Sequence, residues 1–150
     1  MPELVPRSAG RAIALARGLR RLLRSHGFSS LPELPLPHGR RADLVAFNAD
    51  GEITIVEIKS SEADYRADGK WRDYLAYCDR FYFGVASDMP LSLFPDDVGL
   101  IVADSYGGEI LRESSLRRAA PASRRAVLLR FALAAADRLH RHADPTIAAD

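Results

Sequence analysis

The chain has 150 residues, 47% of them apolar, which suits one globular domain and argues against wholesale disorder. It contains no run of the roughly 18 apolar residues that a membrane-spanning helix needs. The single cysteine, Cys78, excludes an internal disulfide and a zinc site built from cysteines. We therefore expect a cytoplasmic protein with no membrane association. It should form one domain over residues 1–150, with an ordered core over about 8–142.

The net charge of +1 conceals an uneven distribution. Residues 1–41 contain eight arginines and two acidic residues, and residues 111–150 contain eight arginines and four acidic residues. Residues 42–110 contain five basic and fourteen acidic residues. An acidic centre between basic flanks is what a metal site with phosphate-binding arms requires. The alternative is that each arginine simply lies on a solvent-exposed face of a helix and has no functional role.

The first part of the chain reads as one helix followed by three strands. Helical spacing of apolar residues predicts a helix over about 8–26, and Gly27 is a suitable end. The arginine-rich start also fits a transit peptide, but its arginines share one helix face, which favours an ordinary helix. The strands are expected at Leu31–Leu36, Ala42–Phe47 and Ile53–Lys59. Prolines put the first strand at a sheet edge, while the third, apolar on both faces, belongs at the centre.

The second part alternates helices and strands. Ser61-Glu62-Ala63-Asp64 resembles a capping box and begins a helical stretch to about Tyr77, broken near Gly69. Strands follow at Arg80–Ala86, Gly99–Ala103 and Glu109–Leu111. Ser123 is expected to cap a final helix that ends near His142. A strand, a helix and a strand in this order predict parallel strands. The order α-β-β-β-α-β predicts an α/β (α+β) fold with a mixed central sheet flanked by helices.

Two short loops fix the register of the first three strands. Each has three residues and ends in a glycine suited to a left-handed backbone: Pro37-His38-Gly39 and Ala49-Asp50-Gly51. Such loops place Asp43 opposite Glu57 and Glu33 opposite Asp43. Lys59, two residues after Glu57, should face the same side. The sequence therefore predicts three carboxylates in one row beside a lysine.

Opposed carboxylates destabilise a sheet unless a cation lies between them. Oxygen ligands favour Mg²⁺ or Mn²⁺. We expect Asp43, Glu57 and the backbone carbonyl of Ile58 to hold the ion, with Glu33 as a further candidate ligand. The ion would bind a phosphate oxygen and activate a water, and Lys59 would stabilise the phosphate charge or orient that water. The alternative is an ordinary Glu–Lys pair at a strand end.

Three further residues are candidates for nucleic-acid binding. Arg41 is expected on the face of Asp43, where it can hold the scissile phosphate or neutralise Glu33. Ser60 can bond a phosphate or help to cap the next helix. Lys70 can contact a phosphate from the helical stretch, whereas Trp71 and Tyr74 at neighbouring helical positions suit the core.

The motifs around these residues resemble a known family. Gly39-Arg-Arg-Ala-Asp43-Leu with Glu57-Ile-Lys59-Ser-Ser61 is similar to the PD-(D/E)XK nuclease pattern. More closely, GRRADLVAF, IVEIKSS, ADYRADGKWRDYLAYCDRFYF and LFPDDVGLIVAD resemble the MmcB-like bacterial DNA repair family over about residues 10–140. The resemblance implies a restriction-endonuclease-like fold, a divalent metal and a DNA substrate, with the catalytic set Asp43, Glu57 and Lys59. The chain departs from the wider pattern in lacking a proline before Asp43 and a glutamine on the following helix, where Lys70 or Tyr74 stands.

The resulting hypothesis is a metal-dependent DNA endonuclease in DNA repair, associated with the nucleoid. A domain this small presents little DNA-contact surface, so a homodimer or other repair proteins are expected partners. One alternative is a DNA-binding or scaffold protein that keeps the nuclease fold without cutting, and another is a nuclease acting on RNA. The intact Asp43, Glu57 and Lys59 favour the first hypothesis.

Overall fold

The computed structural model describes residues 7–147, which form three α-helices, two short 3₁₀ helices and six strands. The helices are α1 (Arg7–Ser25), α2 (Glu62–Ala67) and α3 (Pro121–Ala143), with 3₁₀ helices at Trp71–Tyr77 and Leu91–Leu93. The strands are β1 (Ser29–Pro35), β2 (Arg41–Phe47), β3 (Ile53–Lys59), β4 (Arg80–Val85), β5 (Gly99–Ala103) and β6 (Gly108–Arg112). This order confirms the predicted α-β-β-β-α-β core. None of the helices in residues 7–147 combines the length and hydropathy needed to cross a bilayer.

All six strands join one mixed sheet, in which their spatial order equals their chain order. β1, β2 and β3 are antiparallel neighbours, β3, β4 and β5 are parallel, and β6 returns antiparallel to β5. The predicted parallel pairing of β3 and β4 is confirmed. The edge position of β1 is confirmed as well. Proline has no N–H to donate to a neighbouring strand, so it is tolerated at the edge of a sheet. Every residue of β3 is buried, as expected for a strand covered on both faces.

The two hairpin registers are also confirmed. Leu44 lies opposite Val56, and Leu34 lies opposite Ala42. The turns depend on Gly39 (φ 91°) and Gly51 (φ 79°), which adopt the left-handed backbone that most side chains disfavour.

Apolar side chains cover both faces of the sheet. One face packs against α1, whose core residues are Leu15, Leu19 and Leu23. The other face packs against the 3₁₀ helix and α3, through Trp71, Tyr74, Val127 and Phe131. The core positions predicted for Trp71 and Tyr74 are therefore confirmed. Burying a large apolar side chain contributes about 1.5–3 kcal/mol to stability, so these contacts fix all three helices on the sheet.

The chain between β3 and β4 breaks where the sequence predicts, but its second half is not α-helical. α2 ends at Ala67, and residues Trp71–Tyr77 form a 3₁₀ helix after a break over residues 68–70. The prediction that Ser123 caps α3 is wrong. α3 begins at Pro121, two residues earlier, because proline has the preset φ of a first helical residue and no N–H to satisfy.

α1 lies directly on the turn between β5 and β6. A Cβ atom at Gly18 would lie 1.7 Å from the carbonyl oxygen of Asp104 and 2.7 Å from that of Gly107. Both neighbours are backbone atoms and cannot rotate away. The absence of a side chain at Gly18 therefore sets the distance between α1 and this end of the sheet.

Replacing Gly18 by alanine should destabilise the protein by about 1–3 kcal/mol or more, because overpacking forces the backbone to move. Gly10→Ala is the matched control in the same helix, since nothing lies within 4 Å of a Cβ there. That variant should gain about 0.5–1 kcal/mol of helix propensity. Urea unfolding of both variants checks the prediction, and equal midpoints would contradict the close approach.

Candidate metal and phosphate site

Asp43 and Glu57 meet where β2 and β3 stop pairing through their backbones. The regular ladder ends at Leu44 and Val56. Beyond it, the backbone N–H of Asp43 donates to Glu57 Oε1 at 2.9 Å, and the backbone N–H of Ile58 donates to Asp43 Oδ2 at 2.8 Å. Carboxylates thus replace the carbonyl acceptors of a normal sheet. Each strand supplies one acid to the gap, and the remaining carboxylate oxygens are left for another partner.

Burial shifts the protonation of both acids. Glu57 is 4% exposed, and burial first, then the charge of Asp43, raises the pKa of Glu57 to about 9. Burial also raises the pKa of Asp43, although the hydrogen bond from the backbone N–H of Ile58 acts in the opposite direction. The pair therefore retains a proton near neutral pH, and a divalent cation bound between the two acids would displace it.

Lys59 completes the cluster. It is 4% exposed, and its charge acts on both Asp43 and Glu57. Its Nζ lies 2.8 Å from Asp68 Oδ2 in an ion pair that is almost buried. The structure thus brings together the three residues that the sequence singled out as a catalytic set.

Asp68 also belongs to this site, although the sequence did not predict it. This residue caps the C-terminus of α2, receives a hydrogen bond from Arg40 as well as from Lys59, and accepts the backbone N–H of Lys70. Burial opposes the effect, but the bond from Lys59 and the others hold the pKa of Asp68 below its usual range. The sequence indicated Asp68 only by its position beside the predicted helix break at Gly69. At this break the chain lies close to Lys59, at the end of β3.

Asp64 was predicted as part of a capping box but not as a residue of this site. It lines the same cavity and accepts the backbone N–H of Ser60 at 3.0 Å. The Ser61 hydroxyl accepts the backbone N–H of Asp64, as in a capping box. The reciprocal bond therefore goes to Ser60, one residue before the cap.

Glu33 is not brought into the pair. It follows the predicted register, but its φ of 51° takes it out of strand conformation, and Arg138 binds its carbonyl oxygen. Its exposed side chain lines the cavity mouth. Among residues 7–147, no group of three or more His, Cys, Asp or Glu side chains converges as a metal site. The row of three carboxylates is therefore wrong, and two carboxylates remain.

The three predicted nucleic-acid-binding residues lie outside the cavity. Arg41 is exposed on β2, and its carbonyl oxygen accepts the Tyr74 hydroxyl. Ser60 bonds Asp64 through its backbone and hydroxyl. Lys70 is exposed, and its carbonyl oxygen accepts a bond from Arg40. Direct contact between any of these side chains and a phosphate in the cavity stays a prediction.

The cavity itself measures about 1030 Å³. Its floor carries Asp43, Glu57 and Lys59, and β1 and α2 form two of its sides. α1 forms another wall and contributes four arginines: Arg17, Arg20, Arg21 and Arg24. Acids at the floor below a basic wall suit a metal ion and an anionic substrate in adjacent positions.

The raised pKa of Glu57 predicts an unusual pH dependence of the metal-free protein. Between 4.5 and about 9 the folded protein keeps a proton that the unfolded chain releases, so stability should fall as the pH rises through this window. Glu57→Gln mimics the protonated acid and should remove most of that slope. Burial lowers the pKa of His38, which gives the opposite slope near pH 6.5 in both proteins and cancels in their difference.

Urea unfolding in EDTA at several pH values measures the two slopes. Glu109→Gln is the control, since Glu109 is exposed on β6 and should leave the slope unchanged. If the free energy of unfolding varied with pH in the same way for the wild type and Glu57→Gln, the claim that the pair of acids retains a proton would be contradicted.

Comparison with known proteins places the chain in a class. Residues 2–146 match the family described as DNA repair protein MmcB-like, and the chain belongs to this family. A solved structure of a protein of unknown function from Silicibacter pomeroyi is similar, with a TM-score of 0.88 and 41% sequence identity over 98% of this chain and 97% of that one. The similarity confirms the α/β fold with its mixed sheet flanked by helices. No curated protein matches the sequence.

Proposed function

We propose that this protein is a metal-dependent DNA endonuclease of the PD-(D/E)XK type that acts in DNA repair. The observation that carries the proposal is the pair formed by buried Glu57 and half-buried Asp43, each of which accepts a backbone N–H of the opposite strand where β2 and β3 part. The raised pKa of Glu57 disfavours double ionisation of the pair in the metal-free protein. A structural role would not require two opposed acids in this gap, whereas a cation would.

The donor set fits Mg²⁺ or Mn²⁺. Hard cations of this kind take oxygen ligands, and Mg²⁺ commonly uses only one or two protein carboxylates and keeps several waters. Asp43 and Glu57 would supply the carboxylates, and the carbonyl of Ile58 is the third candidate. When bound, such an ion polarises a phosphate oxygen and makes a water molecule a better nucleophile.

Lys59 has the position and the donors for a second role. An ammonium group has three N–H donors, and Asp68 takes one of them in this structure. The remaining donors can reach a phosphate oxygen beside the two acids and stabilise the charge that develops there. Asp68 fixes the direction of the side chain, so it acts through Lys59 as a positioning residue.

DNA is the proposed substrate because the family is assigned to DNA repair and because arginines line the cavity. Guanidinium groups bind phosphate oxygens in a bidentate manner and remain charged at any physiological pH. The arginines of α1 line the same cavity as the acids, which supports phosphate contacts next to the proposed reaction.

One observation favours a second candidate function, a DNA-binding or scaffold protein that does not cut. The buried ion pair with Asp68 gives Lys59 a structural partner. A lysine fully used in this way would stabilise the end of β3 and contribute nothing to hydrolysis.

A cleavage panel in Mn²⁺ tests the proposal. Duplex, nicked, flapped, branched and single-stranded DNA are incubated with the wild type, Asp43→Asn and Lys59→Ala. Cleavage of at least one substrate that both variants lose would support the nuclease. DNA binding by all three proteins without any cleavage would overturn it in favour of the scaffold.

A further inference from the structure

The arginine-bearing face of α1 is not neutralised by the protein. Residues Arg7–Ser25 contain six arginines and no acidic residue. Four of them line the cavity: Arg17, Arg20, Arg21 and Arg24. In the described residues none of these four forms an ion pair, whereas Arg11 of the same helix pairs with Asp88. Arg20 donates to Ser30, and Arg21 donates to the carbonyl oxygen of Tyr106.

An exposed aromatic residue belongs to the turn that contacts α1. Tyr106, in the turn between β5 and β6, is 76% exposed. The close approach at Gly18 holds that turn against α1. Arg21 donates to the Tyr106 carbonyl oxygen at 3.4 Å, so the backbone of Tyr106 lies next to the arginine row. An aromatic side chain left in solvent is a suitable platform for a nucleic-acid base.

The acids lie at the bottom of the cavity rather than on an open surface. Glu57 is 4% exposed, and the apolar side chains of Ile13 and Phe28 contribute to the walls. The volume of about 1030 Å³ is close to the upper end of small-ligand pockets. A short flexible segment of chain fits such a space. Duplex DNA has a persistence length of about 150 base pairs, so bending its backbone into the cavity costs more than bending a single strand.

We propose that α1 and Tyr106 form a track that guides one unpaired DNA strand into the cavity. The arginines bind successive phosphates and Tyr106 stacks against a base, the combination by which proteins hold single strands without reading their sequence. The inference deepens the proposed function by naming its substrate class. It rests on that function only in assuming that the cavity is where the strand is cut. Binding along the track itself needs no metal.

Binding measurements in EDTA test the track separately from cleavage. Fluorescence anisotropy follows a labelled oligothymidine, which is then displaced by unlabelled single-stranded DNA or by a hairpin duplex of the same length. The single strand should compete at least about tenfold better than the duplex. Tyr106→Ala should weaken single-strand binding by about 5- to 100-fold, whereas Tyr106→Phe should retain it.

The arginine variants have a matched control on another element. Arg17→Ala and Arg24→Ala should each lower the slope of log affinity against log salt by about 0.7. Arg130→Ala and Arg141→Ala remove the same charge from exposed positions on α3 and should leave the slope nearly unchanged.

Duplex competing as well as the single strand would overturn the proposal, as would equal losses in the α1 and α3 variants. Single-strand binding that persists without any cleavage in Mn²⁺ would uphold the track and contradict the nuclease. Cleavage in Mn²⁺ together with a preference for duplex would uphold the nuclease and contradict the track.

Discussion

Lys59→Ala is expected to lower the rate of DNA cleavage by about 10²–10³-fold, the usual loss when one donor to a developing oxyanion is removed. Metal binding and DNA affinity should change little, because Asp43, Glu57 and the arginines of α1 are untouched. Single-turnover cleavage in Mn²⁺ gives the rate, and anisotropy with labelled DNA gives the affinity.

The ion pair with Asp68 makes a second variant necessary. Asp68→Asn keeps the Lys59 ammonium but loosens its direction, so its cleavage rate should fall less than that of Lys59→Ala. Equal losses of binding and cutting in Lys59→Ala would show that the lysine only maintains the structure. So would a cleavage rate that follows the stability of the two variants.

Asp79→Asn should destabilise the fold by about 3–5 kcal/mol, the range for breaking one side of a buried ion pair. Its side chain is 1% exposed and binds Arg124 of α3. It also accepts the backbone N–H groups of Ile53 at the start of β3 and of Ala119 before α3, each at 2.8 Å. An asparagine would point an amide N–H at one of these donors and leave Arg124 without its counter-charge.

The midpoint of urea unfolding measures this loss. Asp97→Asn is the matched control, since Asp97 pairs with Arg72 at a surface position where both side chains are more than half exposed. That pair should contribute at most about 1 kcal/mol. Similar losses in the two variants would contradict the central role of Asp79.

The same residue predicts a sensitivity to acid. Burial alone would raise the pKa of Asp79, but hydrogen bonds from Arg124 and from the two backbone N–H groups lower it below its usual value. The stabilisation is therefore complete above the pKa of the unfolded chain and disappears as the pH falls through that of the folded protein.

Turn chemistry explains why the pair of acids could be predicted from sequence. Gly39 and Gly51 each close a three-residue loop, and a closed loop determines every pairing along its two strands. The juxtaposition of Asp43 and Glu57 could therefore be predicted from the loops alone, without knowledge of the rest of the fold. The buried position of β3 followed equally from a local pattern, a strand apolar on both faces.

The features that escaped prediction depend on contacts distant in sequence. Glu33 leaves the strand conformation because of its φ of 51°, a departure that its position in the register does not reveal. Asp68 reaches Lys59 through an ion pair across nine residues of chain. The helix break near Gly69 was predicted, but the direction that the chain takes there was not. The arginines of α1 face the cavity because the opposite side of the helix packs on the sheet. Leu19 lies in the core there, and Gly18 contacts the turn between β5 and β6.

Thermal unfolding in the presence of Mg²⁺ or Mn²⁺ tests the metal site most directly. A ligand that binds only the folded state stabilises it by about 2.7 kcal/mol at a hundred times its Kd. The melting temperature of the wild type should therefore rise with metal concentration. The rise should be steeper at higher pH, because the proton that the pair of Asp43 and Glu57 retains is then more easily lost to the metal. Asp43→Asn should abolish the rise, while Glu109→Gln should retain it. A wild type that does not respond to millimolar metal, or an Asp43→Asn variant that responds equally, would contradict the account.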